Sequence, residues 1–99
     1  MLNVKKEKTG TNLVVALEGR LDTVTAPAFE AELKEAVEGI SNLTIDASKL
    51  EYVSSAGLRV LLSAHKIMSK QGSMVVKNLT EEVKEVFDIT GFSDILTIE

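Results

Sequence analysis

Two adjacent serines, Ser54 and Ser55, are the side chains of this chain best placed to do chemistry. An apolar run that predicts a strand precedes them, and a long amphipathic segment that predicts a helix follows without a break. Serine is favoured at a helix start because its oxygen accepts a hydrogen bond from a free first-turn N–H. The simplest interpretation is therefore a capped helix. Gly57 lowers helix propensity by about 1 kcal/mol against alanine, and we expect it to leave the serines unscreened for a partner.

A hydrolytic role for these serines lacks the base that a nucleophilic serine needs within hydrogen-bond reach. The only histidine, His65, follows Ser55 by nearly three helical turns, about 15 Å along the axis at about 1.5 Å per residue. It flanks the apolar face of the predicted helix, as a histidine at the margin of a core does. The sequence therefore argues against an enzyme.

Metal and cofactor sites have equally little support. Asp22 and Asp46 are two carboxylates without a third ligand at a recognisable spacing. No glycine-rich phosphate loop is present, because Gly57 stands alone. We expect no catalytic residue, no metal and no cofactor.

Length and composition set the bounds. The 99 residues predict one domain spanning 1–99. The net charge of −4 disfavours a nucleic-acid surface, which needs clustered lysine and arginine. There are no cysteines, no signal-like apolar start and no run approaching the roughly 18 apolar residues of a membrane span. We expect a soluble cytoplasmic protein.

Strand and helix patterns alternate along the chain. The pattern predicts strands at 2–8, 13–17, 43–46 and 73–77, helices at 25–39 and 55–71, a third helix between 78 and 91, and a candidate fifth strand at 95–98. This order indicates the α/β class, with a mixed four- to five-stranded sheet and three to four helices.

Several details follow from local signals. The consecutive apolar residues at 13–17 predict a strand covered on both faces. Thr25 is expected to cap the first helix and Gly39 to end it. Asn78 and Glu81 have the spacing of a capping box, and Gly91 is expected to close the last helix.

Function in such a fold usually lies where the strands end. Asp22 follows the second predicted strand, Asp46 ends the third, and Ser55 follows the next loop. If these strands are neighbours, the three side chains share one end of the molecule.

Three segments carry a resemblance to a known family. They are Val53–Leu62 (VSSAGLRVLL), Ile45–Ser48 (IDAS) and Leu17–Thr23 (LEGRLDT). Together they resemble the bacterial anti-sigma factor antagonists of the STAS-domain family, and the likeness extends in order over essentially the whole chain.

The resemblance implies a partner switch. Such proteins bind an anti-sigma factor, often a serine kinase, and so free a sigma factor for transcription. The kinase phosphorylates a serine at the start of the central helix, which ends binding, and a separate serine phosphatase resets the protein. Ser55 matches that serine, with Ser54 as second choice. The residues expected to contact the partner are Asp22, Thr23, Asp46, Ser54, Ser55, Ala56, Gly57 and Arg59.

A small α/β hydrolase or ligand-binding domain is the alternative interpretation. It needs a base or a pocket, neither of which is visible in the sequence. A phosphorylatable binding module needs only an exposed serine. We also expect a monomer when the chain is alone, because the charged first strand and acidic first helix offer no long apolar stripe.

Overall fold

A computed structural model describes residues 1–99 and confirms the predicted alternation of strands and helices. The elements are β1 (Leu2–Thr9), β2 (Asn12–Leu21), α1 (Ala26–Ala36), β3 (Asn42–Val53), α2 (Ser55–Gln71), β4 (Ser73–Lys77), α3 (Glu81–Thr90) and a 3-10 turn (Phe92–Asp94). No helix combines the length and the apolar character needed to cross a bilayer.

The four strands form one mixed sheet in the order β1-β2-β3-β4. β1 and β2 form an antiparallel hairpin, and β2, β3 and β4 run parallel. Both crossovers step in the same direction across the sheet, so their right-handed sense places α1 and α2 on the same face. The two helices pack against each other there.

The other face of the sheet is open, which corrects the prediction for β2. Leu13, Val15 and Leu17 are buried, but Val14 between them is 39% exposed. The open face is largely polar, and its residues include Asn3, Lys5, Glu18, Thr44, Asp46 and Lys77. A consecutive apolar run therefore did not mean two covered faces, because α1 and α2 cover only one.

The first two helices each bury one apolar face. The apolar residues that recur at helical spacing in and just after α1 are all buried, namely Ala26, Phe29, Leu33, Val37 and Ile40. In α2, Leu61, Ala64 and Met68 are buried, whereas Arg59 and Lys66 are exposed. The amphipathic stripes of the two helices thus build one continuous apolar core with the covered face of the sheet.

Strand β3 is longer than predicted. Its buried residues after Ile45 are Ala47, Leu50 and Val53, at intervals of two and then three. The pairing with β2 shifts twice, between Ala16 and Glu18 and again between Gly19 and Arg20. Each shift adds one residue to β3, as β-bulges do. The bulges break the two-residue period, which is why a polar loop was predicted where the strand continues.

The helix termini differ from prediction in three places. The Thr25 side chain makes no cap bond, and Val37 rather than Gly39 is the C-cap of α1. Thr80, not Asn78, caps α3, and its hydroxyl oxygen accepts a hydrogen bond from the N–H of Val83 at 3.4 Å. Only the cap of α3 keeps the predicted chemistry, two residues further along the chain, because threonine replaces asparagine as the oxygen acceptor.

The end of the chain does not form the fifth strand that was predicted at 95–98. Gly91 closes α3 in the left-handed conformation, as predicted. Beyond it, Ile98 forms a single parallel bridge with Val76. The 3-10 turn occupies part of the segment between Gly91 and Ile98, so the sheet has four strands.

Candidate functional site

The candidate site lies where β2 and β3 end together. Leu21 and Val53 are the last paired residues, and the Ser54 N–H donates to the Leu21 carbonyl at 2.9 Å. This bond holds the loop after β2 beside the start of α2. Asp22 and the two serines are thus brought together, as the sequence predicted.

The two serines have different roles in the local structure. Ser54 is the N-cap of α2: it is half-buried, and its Oγ accepts a hydrogen bond from the Gly57 N–H at 3.3 Å. Ser55 is the first residue of the helix and is exposed. Ala56 behind it is half-buried, and Arg59 is exposed one turn further along. Ser55 therefore presents the more accessible hydroxyl.

The loop after β2 forms a tight turn at residues 22–25, called here the Asp22 turn. Asp22 Oδ1 accepts from the N–H groups of Val24 and Thr25, each at 3.0 Å. Thr25 Oγ1 accepts from the Asp22 N–H at 2.9 Å and donates to the Arg20 carbonyl at 2.9 Å. Thr23 is exposed at the tip. Thr25 therefore braces this turn instead of capping α1.

These bonds also favour the ionised form of Asp22. The hydrogen bond from the Thr25 N–H, aided by that of Val24, lowers the pKa of the Asp22 carboxyl, although desolvation opposes the shift. Because the pKa is lower in the folded chain, ionised Asp22 supports the turn at neutral pH. That support is lost as the pH falls through the lowered pKa.

Arg20 and Tyr52 extend the site onto the open face, and neither was among the residues expected there from the sequence. They are cross-strand partners, and the Arg20 guanidinium carbon lies 4.3 Å from the centre of the Tyr52 ring. Arg20 Nε is also 3.7 Å from Asp22 Oδ2. Only the bulged register aligns these two residues, so regular strand spacing gave no signal for the pair.

Asp46 does not belong to this site, which corrects the expectation that it ends the third strand. It lies within β3 on the open face, paired with Ala16 and Lys77. Six residues lie between it and Val53, and the seven steps of strand span about 23 Å at about 3.3 Å per residue. The bulges that extend β3 move the serines away from it.

Local hydrogen bonds account for the properties of Asp46. Its Oδ1 accepts from the Ser48 N–H at 3.0 Å and from Asn78 Nδ2 at 3.3 Å. The Ser48 bond is the main reason that the pKa of the Asp46 carboxyl is lowered. Asp46 thus joins β3 to the loop after β4, at the level where β4 ends.

Gly57 serves packing and not exposure, which corrects a second expectation. It is buried, and a Cβ there would lie 2.7 Å from Leu21 Cγ, 2.9 Å from the Leu21 carbonyl oxygen and 3.0 Å from Val53 Cγ2. Glycine therefore permits the first turn of α2 to approach the ends of β2 and β3. This close approach fixes the position of Ser54 and Ser55 relative to the ends of β2 and β3.

We expect Gly57→Ala to destabilise the fold by about 1–3 kcal/mol, because the new methyl group overpacks the joint between α2 and the sheet. Alanine's better helix propensity, about 1 kcal/mol, offsets this only in part. Urea denaturation measures the change, with Ser55→Ala as an exposed control in the same turn. A Gly57→Ala chain as stable as the parent would contradict the packing role.

No group of three or more acidic, histidine or cysteine side chains that could hold a metal ion is present. His65 is half-buried in α2, on the margin of the core as predicted. A depression of about 150 Å³ lies on the open face, rimmed by Lys5, Glu18, Asp46 and Lys49.

The surface around Ser55 offers a hydroxyl group, a structured turn and two exposed arginines, Arg20 and Arg59. These groups suit contact with another protein.

Known proteins are similar to this chain in sequence and in fold. The family model described as "STAS domain" matches residues 3–99. The chain is 33% identical over 98 residues to the anti-sigma-B factor antagonist of Bacillus subtilis, covering 98% of this chain and 90% of that protein. A crystal structure of an anti-sigma factor antagonist from Mycobacterium paratuberculosis superposes with a TM-score of 0.89 at 25% identity, covering 99% and 85% of the two chains.

A further fold neighbour is the Bacillus cell fate determinant SpoIIAA in its phosphorylated form. It has a TM-score of 0.75 at 18% identity, and the match covers 98% of this chain and 91% of that chain. The family match extends over nearly the whole chain, and a relative above 30% identity spans it equally. The chain therefore belongs to the STAS domain family.

Proposed function

We propose that this chain is an anti-sigma factor antagonist that binds an anti-sigma factor with serine kinase activity, and that phosphorylation of Ser55 ends the binding. The observation that carries the proposal is the exposed Ser55 hydroxyl at the first residue of α2, beside the structured Asp22 turn. The name of the Bacillus subtilis relative supports the same role.

Ser55 is preferred to Ser54 for a physical reason. The Ser54 oxygen accepts the Gly57 N–H and caps the helix, so a kinase would have to remove it from that bond. A phosphate on Ser55 instead adds charge near the positive end of the helix dipole, where anions are tolerated or favoured. The fold neighbour SpoIIAA, solved in a phosphorylated form, is consistent with this modification on such a fold.

The proposed partner surface is smaller than the one expected from the sequence. It comprises the Asp22 turn with Thr23, the helix start at Ser54–Ala56, and Arg59. Gly57 is left out because it is buried, and Asp46 because it lies along β3 on the open face. A serine phosphatase would remove the phosphate, and the whole cycle would take place in the cytoplasm.

A small hydrolase or ligand-binding domain is the weaker candidate. Its nucleophile would need a base, and His65 lies nearly three turns of α2 away from Ser55. The Asp22 carboxylate is already engaged by two backbone N–H groups. We propose a non-enzymatic role without cofactor or metal.

We expect the isolated chain to be monomeric. The exposed edge strand β1 carries several lysines, and Lys6 forms an ion pair with Glu32 of α1 at 2.6 Å. Charged edge strands discourage pairing between sheets. Sedimentation at micromolar concentration checks this, and a stable dimer would count against it.

The proposed function is tested by incubating the purified chain with ATP and each purified anti-sigma kinase of its source organism. We expect one kinase to incorporate close to one phosphate per chain. The same kinase should form a complex with the unmodified chain on size exclusion, whereas a reaction without kinase should leave the chain unmodified. If none of the kinases binds or modifies the chain, the proposal is wrong.

A further inference from the structure

Val24 is an apolar side chain that the fold displays to solvent. It is 86% exposed, more than any other large apolar residue after the terminal Met1. Single exposed apolar residues are common on protein surfaces. The position and rigidity of this one distinguish it.

The backbone at Val24 is held by the turn that forms the site. The Val24 N–H donates to Asp22 Oδ1 at 3.0 Å, and the next N–H, of Thr25, donates to the same oxygen. Thr25 in turn bonds back to Arg20. A side chain on a backbone already ordered in this way loses less conformational entropy on binding than one on a mobile loop.

The location of Val24 also points to a particular occupant. It stands three residues beyond Leu21, whose carbonyl accepts the Ser54 N–H, so its turn adjoins the helix start that carries Ser55. Tyr52, 40% exposed and stacked under Arg20, lies on the strand that leads to Ser54. The apolar side chain is thus continuous with the proposed partner surface.

We propose that Val24 is the anchor that enters an apolar pocket of the anti-sigma factor and helps to determine which anti-sigma factor this chain binds. The inference rests on the proposed function and deepens it. Ser55 would carry the switch, and Val24 would contribute affinity to the complex of the unphosphorylated chain. A few side chains packed into desolvated pockets commonly carry most of the binding energy of an interface.

The test uses Val24→Asp and Val24→Ala, with Ile89→Asp as the matched control. Ile89 is 76% exposed in the last turn of α3 and lies outside the proposed surface. Each variant is titrated calorimetrically with the anti-sigma kinase that modifies the parent chain. We expect about tenfold weaker binding for Val24→Ala, at least about thirtyfold weaker for Val24→Asp, and a change within about twofold for Ile89→Asp. Thermal melting should show all three folded, since both positions are exposed.

The outcomes separate the two proposals. Parent-like binding of both Val24 variants overturns the anchor and leaves the proposed function intact. An equal loss in Ile89→Asp also overturns it, because the effect would then not depend on this surface. If no anti-sigma kinase binds the parent chain, the anchor and the proposed function are both wrong.

Discussion

Replacing Ser55 by alanine is expected to abolish phosphate incorporation by the anti-sigma kinase, whereas Ser54→Ala should leave most of it. Ser55 is exposed at the first position of α2, while the Ser54 oxygen is occupied as the helix cap. Phosphate incorporation by each variant, followed by mass spectrometry of the parent chain, measures the difference. Finding the phosphate on Ser54 in the unmutated protein would overturn the assignment.

Ser54→Ala also removes a helix cap, which typically destabilises a protein by about 0.5–2 kcal/mol. A sharper control is Ser54→Asn, because asparagine caps helices as well as serine does and has no hydroxyl to modify. If Ser54→Asn is modified like the parent and Ser55→Ala is not, Ser55 is the acceptor. Loss of modification in Ser54→Asn would instead identify the Ser54 hydroxyl as the phosphate acceptor.

The second large effect concerns affinity. We expect Ser55→Asp to weaken binding of the anti-sigma factor strongly. Phosphorylation of Ser55 should weaken the same binding by at least about a hundredfold, equivalent to about 2.7 kcal/mol. A charge at the centre of an interface must be desolvated or face an unmatched group, which commonly costs several kcal/mol. Calorimetric titration compares Ser55→Asp with Ser55→Asn, which has a similar size and no charge. Equal weakening by both variants would attribute the effect to shape instead of charge.

The fold itself should tolerate the charge. Ser55 lies at the positive end of the α2 dipole, where an exposed anion is neutral or stabilising by about 0.3–1 kcal/mol. The melting temperature of the phosphorylated chain should therefore change by only a few degrees. The switch would then act at the interface and not by unfolding the domain.

The helices were the most predictable part of this molecule. The period of α2 placed Arg59 and Ser55 on the exposed side, and the structure agrees. The stripe from Ala26 to Ile40 likewise predicted the buried face of the first helix. Helical amphipathicity is a local property, so one segment of sequence contains the whole signal.

Strand β3 was less predictable because its geometry depends on its neighbour. The two bulges set buried residues three apart at Ala47, Leu50 and Val53, a spacing that resembles no regular strand. As a result Asp46 was assigned to a strand end that it does not occupy. The proximity of Asp22 to the serines was still predicted, since it depends only on β2 and β3 ending side by side.

Gly57 and Arg20 show what a sequence alone leaves hidden. The need for glycine at position 57 arises from contacts with Leu21 at the end of β2 and Val53 at the end of β3. The stacking of Arg20 on Tyr52 requires the bulged register. Both features depend on contacts between elements, and neither has a local sequence signal.

The most direct test of the phosphorylation switch is a calorimetric titration of the anti-sigma kinase with the unmodified and the Ser55-phosphorylated chain, paired with a thermal melt of each. We expect at least about a hundredfold weaker binding of the phosphorylated chain, with a cooperative melt within a few degrees of that of the unmodified chain. Equal affinity of the two forms, or a phosphorylated chain that has lost its cooperative melt, would contradict it.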